Sequence, residues 1–182
     1  YHFGSATAFM GGNLKDTYFK LKEYAKSNNK IISFDANYRE SLFGNNKEEF
    51  IKCCKEFIVD SNIVKLSEEE AKLISGIEDI KEASQYIVNL GCENLMVTLG
   101  KEGTLLSNRE KQILIKTKEV KMKDATGAGD AFIGAVIAQI LNEPGKSMEK
   151  IVEMANLVGG ITTTKLGALE SIPTWDEVFA YN

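Results

Sequence analysis

Apolar residues along the chain follow two alternating rhythms. Short unbroken apolar runs are separated by longer stretches in which apolar positions recur every three or four residues. The short runs predict strands at Ile31-Ile32-Ser33-Phe34, Ile63-Val64-Lys65-Leu66 and Leu95-Met96-Val97-Thr98-Leu99, with another under way at Tyr1-His2-Phe3-Gly4. The longer stretches predict helices over about 14–27, 50–59 and 80–90. Strands alternating with amphipathic helices predict a parallel sheet covered by helices on both faces. Between Thr104 and Val120 the rhythm changes to two short strands turning around Asn108 to Lys111, a hairpin. Two long helices follow, roughly 128–141 and 148–162. A last short helix follows Pro173, with Thr174 as N-cap and Glu177 completing a capping box. No repeat, low-complexity tract or linker interrupts the pattern, so residues 1–182 read as one α/β domain.

Composition narrows the function more than the fold. The 182 residues are 43% hydrophobic and 26% charged, enough to bury a core without disulfides or metals. A net charge of −4 without any basic block argues against nucleic acid as a partner. The longest apolar run, near 131–141, is too short to span a bilayer, so no membrane partner is expected. Cys53, Cys54 and Cys92 are odd in number and lack CxxC spacing, which reads as reduced thiols in a cytoplasmic protein. His2, the single histidine, leaves no histidine triad or histidine zinc site. The chain opens without Met inside a strand, so a piece of a longer protein is expected.

In open parallel sheets, ligands bind beyond the carboxyl ends of the strands. Those exits read Phe34-Asp35-Ala36-Asn37-Tyr38-Arg39, Leu66-Ser67-Glu68-Glu69-Glu70 and Leu99-Gly100-Lys101-Glu102-Gly103. A fourth polar stretch, Lys123-Asp124-Ala125-Thr126-Gly127-Ala128-Gly129-Asp130-Ala131-Phe132, opens the most apolar helix. Small residues at a helix start leave unpaired amides open to anionic oxygen, and the helix dipole adds to the attraction. Asp130 falls in the first turn. It either complements the dipole or accepts a proton from an attacking hydroxyl while the amides hold developing phosphoryl charge. These residues alone leave both roles open.

Other phosphate motifs fail. Gly145-Lys146-Ser147 imitates a P-loop ending, but Ile140 stands where its first glycine belongs. Phe132 occupies the last glycine position of a dinucleotide fingerprint, and no glycine-framed serine suggests a hydrolase elbow.

Asp124-Ala-Thr-Gly-Ala-Gly-Asp130 resembles the D-T-x-G-A-G-D signature of the ribokinase-like (PfkB) carbohydrate kinases. Asp35-Ala-Asn37-Tyr-Arg39-Glu-Ser-Leu42-Phe43 is similar to the D-P-N-x-R-x-x-L-W segment of fructokinases and 2-keto-3-deoxygluconate kinases. Lys65-Leu-Ser67-Glu-Glu-Glu70 resembles the N-x-x-E region, and Val97-Thr98-Leu99-Gly100-Lys-Glu-Gly103 the V-T-x-G-x-x-G loop. Gly167-Ala168, then Ser171 and Pro173, is similar to the family's ending. The chain departs from these patterns at Ser67 for Asn, Ala36 for Pro, Phe43 for Trp and Ala125 for Thr.

The resemblance implies a three-layer α/β/α ribokinase-like fold with a mostly parallel central sheet, lacking the amino-terminal part and its β-lid. Gly11-Gly12-Asn13 is not the family's sugar-binding motif; it reads as a helix start with Asn13 as cap. The implied activity is ATP-dependent phosphorylation of a sugar primary hydroxyl, fructokinase-like. Asp130 is then the base, and Gly127, Ala128 and Gly129 the anion hole. Thr98, Gly100, Gly103, Asn156 and Ser67 border the nucleotide, and Glu70 orients the network around Mg2+. Asp124, Thr126, Gly167 and Ser171 hold a monovalent cation such as K+, while Asp35, Asn37 and Arg39 face the sugar. The implied partners are sugar and ATP, with room for a homodimer in the complete protein. A nucleotide-binding fragment without catalysis, or a kinase of the same fold for 2-keto-3-deoxygluconate or a nucleoside, remain alternatives.

Overall fold

Four apolar strands run parallel and in chain order: β1 (His2–Gly4), β2 (Ser33–Asp35), β3 (Ile63–Ser67) and β4 (Asn94–Thr98). This computed structural model describes residues 1–181. Strands β5 (Thr104–Ser107) and β6 (Gln112–Ile115) complete a six-stranded sheet in the order β1-β2-β3-β4-β5-β6. Because strand order follows chain order, right-handed crossovers deliver α1 (Gly12–Ser27), α3 (Lys47–Ile58) and α5 (Ile80–Leu90) to one face. The remaining helices are α2 (Glu40–Phe43), α4 (Glu68–Ser75), α6 (Ala128–Asn142), α7 (Met148–Thr162) and α8 (Trp175–Ala180).

The sequence shows no linker, yet the backbone forms two compact units. One comprises Tyr1–Thr98 with Leu105–Ile113, the other Leu99–Thr104 with the chain from Leu114 onward. In the first, the Phe57 ring lies 5.1 Å from those of Phe3 and Phe34 and 5.2 Å from that of Phe19. It thereby ties α3 to α1 and to the parallel strands. Truncating a fully buried ring like this to alanine costs about 3–5 kcal/mol. In the second unit, α6 and α7 pack antiparallel. A β-carbon on Gly159 would lie 3.2 Å from the Ala128 carbonyl oxygen, so the backbones approach closely at that end. At the other end, buried Gln139 donates to the carbonyls of Ala135 (3.0 Å) and Ile151 (3.1 Å).

Local chemistry explains where the elements start. The Asn108 side-chain oxygen accepts the N–H groups of Glu110 and Lys111, both at 3.0 Å, forming the hairpin turn. Thr174 and Glu177 form the capping box expected of α8. Two findings differ from the sequence reading. Helix α1 begins two residues earlier, with Gly11 in the cap position and no side-chain cap, so Asn13 lies inside the first turn. Helix α4 is an addition; Ser67 caps it through a box with Glu70.

Cys53, Cys54 and Cys92 are free and buried. Among the described residues there is no group of three or more His, Cys, Asp or Glu arranged to hold a metal, and no helix long and apolar enough to cross a membrane.

Candidate functional site

The second unit contains an uncommitted helix N-terminus. Gly127 adopts φ 80° and ψ −4°, a left-handed conformation that turns the chain into α6. A β-carbon there would meet the Ala168 methyl at 3.2 Å. The Ala128 N–H donates to the Ala125 carbonyl at 3.2 Å, while that of Ala131 returns to the Gly127 carbonyl at 2.8 Å. The N–H groups of Gly127, Gly129 and Asp130 find no acceptor among the described residues. The open amides are thus those of 127, 129 and 130, because a turn bond draws in the amide of 128. Asp130 is exposed, and its carboxylate makes no hydrogen bond or ion pair among the described residues.

Beside this corner in the chain, the oxygen-rich residues are knitted together. One oxygen of Asp124 accepts the Thr126 hydroxyl (2.6 Å) and N–H (2.9 Å), and the other accepts the Gly167 N–H (3.0 Å). The Thr126 hydroxyl is the main reason that the Asp124 carboxyl sits below its usual range, with the two backbone N–H bonds adding to it. Ser171 donates its hydroxyl to the carbonyls of Leu166 (3.1 Å) and Gly167. Asp124, Thr126, Gly167 and Ser171 are therefore brought together by direct bonds. Their donors are all hard oxygens, and carboxylate and carbonyl oxygens keep spare lone pairs, so the set fits an alkali cation.

The Gly100-to-Gly103 loop is fixed by backbone geometry. Gly100 and Gly103 take φ of 57° and 107°. A β-carbon on Gly103 would come within 2.1 Å of the Ile115 carbonyl oxygen. Asn156 is buried, accepting the Thr104 hydroxyl at 2.6 Å and donating to the Ile115 carbonyl at 2.8 Å. Its side chain thus fastens α7 to the segments flanking the loop.

The first unit gathers charged residues at the strand exits. Asp35 and Lys65, register partners on β2 and β3, form an ion pair, with the ammonium 3.2 and 3.1 Å from the two carboxylate oxygens. Asp35 is 2% exposed and Lys65 is 8% exposed. Glu70, also buried, accepts the Tyr38 N–H (2.6 Å) and the Ser67 N–H (2.7 Å). Burial raises the Glu70 carboxyl above its usual range, against the lowering influence of those N–H groups and of Lys65. The Ser67 hydroxyl accepts the Glu70 N–H at 3.2 Å, and Thr98 donates to the Leu66 carbonyl at 3.3 Å. Asn37, at φ 45°, and exposed Arg39 make no side-chain bond among the described residues. Sequence reasoning missed Lys65 as a site residue. Its signal was a charge inside an otherwise apolar strand, which demands a buried partner.

The pfkB family carbohydrate kinase profile matches residues 2–175. Fructokinase-1 of rice (Oryza sativa subsp. japonica) is 33% identical, over 98% of this chain and 56% of its own length. The fructokinase of Vibrio cholerae, solved with fructose, ADP and calcium, superposes with TM-score 0.91 at 28% identity, covering 99% of this chain and 59% of its own. A sugar kinase of Pyrococcus horikoshii solved with ATP gives TM-score 0.82 at 33% identity, covering 100% of this chain and 56% of its own. The chain thus spans little more than half the length of these relatives. Its strand order, glycine-framed helix start and match to the family profile over residues 2–175 make this chain a member of the pfkB family of carbohydrate kinases, with a ribokinase-like α/β fold.

Proposed function

We propose that the complete protein transfers the terminal phosphoryl group of ATP to a primary hydroxyl of a sugar, as a fructokinase does. The observation that carries this reading is the exposed, unpartnered Asp130 carboxylate on the first turn of α6, beside open backbone amides. As the sugar oxygen bonds to phosphorus and the bond to the bridging oxygen of ADP breaks, Asp130 accepts the hydroxyl proton. The N–H groups of Gly127, Gly129 and Asp130 hold the charge spread over the equatorial oxygens without reorganising.

Gly100 and Gly103 shape the loop that borders the nucleotide, and Asn156 holds it from beneath. The Asp124, Thr126, Gly167 and Ser171 set would hold a potassium-like cation, whose charge adds to that of the amides. Mg2+ would neutralise the phosphates; it is usually bound largely through substrate oxygens, which suits a chain whose described residues form no acidic metal cage. Both oxygens of Glu70 already accept N–H groups, so its contribution to that network is orientation of the Ser67 and Tyr38 segments. Asn37 and Arg39, whose side chains are uncommitted, would face the sugar.

The reading is tested in the complete protein by following ADP release with fructose and a panel of related sugars. Asp130→Asn should lower kcat by ~10²–10⁴ while the KM for ATP changes little. Turnover close to that of the parent would overturn the assignment of the base. The 182-residue chain alone should bind ATP with Mg2+ but turn over no sugar, since orientation of the hydroxyl supplies much of the rate.

A further inference from the structure

The turn after β2 is clamped on three sides, and only two of its side chains are left free. Ser5 donates its hydroxyl to the Ala36 carbonyl and its N–H to the Asp35 carbonyl at 3.1 Å, tying the turn to the exit of β1. Lys65 reaches across from β3 to both oxygens of Asp35. Glu70 holds the Tyr38 N–H, and the Tyr38 ring packs 4.9 Å from Phe50 and 5.9 Å from Phe43. Between these clamps Asn37 is forced to φ 45°, a left-handed conformation that Asn tolerates better than most residues. Asn37 and Arg39 are left as the free polar side chains of a rigid turn.

A buried ion pair is a poor way to add stability, because the desolvation of two ions offsets much of their attraction. Its use at this exit calls for another explanation. We propose that Asp35 and Lys65 are a positioning pair: Asp35 does not contact the acceptor, and its bond to Lys65 sets where Asn37 and Arg39 meet the sugar. The inference rests on the proposed sugar-kinase reading and deepens it by naming what orients the acceptor residues. Glu70 completes the device from the other side of the turn. Losing Lys65 would strip both ammonium bonds from the buried Asp35 carboxylate. The exit of β2 would then shift toward water and carry residues 37–39 with it. Displacements of about 1 Å can cost roughly a hundredfold in rate, so the pair can matter without touching substrate.

The test compares Lys65→Met, Asp35→Asn and the double variant in the complete protein, with KM measured separately for sugar and ATP and folding followed by thermal denaturation. Lys65→Met should raise the sugar KM by about tenfold or more, with the ATP KM changed less than about threefold. The double variant, which removes the buried carboxylate together with the ammonium, should return the sugar KM to within about threefold of the parent. A direct contact between Asp35 and the sugar predicts the reverse, because the double variant would still lack that carboxylate. A sugar KM raised tenfold or more in the double variant would therefore overturn the proposal, as would ATP and sugar KM values rising together in Lys65→Met. If Lys65→Met fails to fold, the double variant alone decides on the same criterion. Failure of the kinase reading itself would appear differently, as a parent protein that phosphorylates none of the sugars tested.

Discussion

Asp35 and Glu70 in the first unit and Asp130 in the second are held in opposite ways. In the first, Asp35 and Glu70 are buried and every oxygen of theirs is bonded, the one pair by Lys65 and the other by backbone N–H groups. In the second, Asp130 stands exposed with nothing among the described residues bonded to it, next to amides that are equally unspent. A bonded carboxylate holds structure in place. An unbonded one stays open to a group arriving from outside, provided that its scaffold is rigid. Here α6 supplies that rigidity through its close contact with α7 at Gly159. Under the proposed function the contrast divides residues that position from residues that react, and it can be broken experimentally.

The largest effect should come from the reactive side. Asp130→Asn, expected to lose ~10²–10⁴ in turnover, should leave the free energy of unfolding within about 0.5 kcal/mol of the parent, since no bond of the folded state is lost. A marked loss of stability, measured by urea denaturation, would mean that the carboxylate is structural after all. Next comes Gly103→Ala. Its β-carbon would fall 2.1 Å from the Ile115 carbonyl oxygen, and its φ of 107° suits glycine alone, so a loss of about 3 kcal/mol or more is expected by the same measurement.

Ser67→Ala is gentler. It removes the cap of α4 and should cost about 1 kcal/mol of stability. If it instead weakened ATP binding tenfold at unchanged stability, Ser67 would belong among the reactive residues and the division would fail there.

The smallest expected effect is that of acid. The Asp124 carboxyl lies below its unfolded value, mainly because of the Thr126 hydroxyl, so its bonds stabilise the fold fully above about pH 4. That contribution fades as pH falls through the lowered folded value. Glu70 is shifted the other way, so its ionisation favours the unfolded chain as pH rises through the ordinary carboxylate range. Asp124→Asn should therefore show a shallower loss of stability between pH 4 and pH 3 than the parent, measured by denaturation at each pH. Equal slopes would show that the Thr126 and Gly167 bonds to Asp124 contribute nothing.

Much of this was legible in the chain. Apolar periodicity located β2, β3, β4, the hairpin and helices α1, α3, α5, α6 and α7 to within a few residues, because burial dictates each of those patterns. The family motifs likewise marked the polar strand exits and the start of α6. Helix α4 was missed although Ser67-Glu68-Glu69-Glu70 has the same capping-box spacing as Thr174 to Glu177. The stretch was read only as a polar strand exit, with Glu70 as its site residue. Lys65 announced that it needs a buried partner, but that the partner is Asp35 was out of reach, because neighbours on parallel strands are set by register. The division into two units was equally invisible, since the chain crosses between them inside a regular strand-and-hairpin pattern with no change of composition.

The contact between Gly127 and Ala168 constrains how the two positions can vary over evolutionary time. With only 3.2 Å separating the alanine methyl from the place where a side chain at 127 would begin, neither residue can grow independently. Substitutions larger than alanine at 168 should be rare among functional homologues. Where one does occur, it should be accompanied by a rearranged approach to the helix, so that change at either site serves as a historical marker of change at the other.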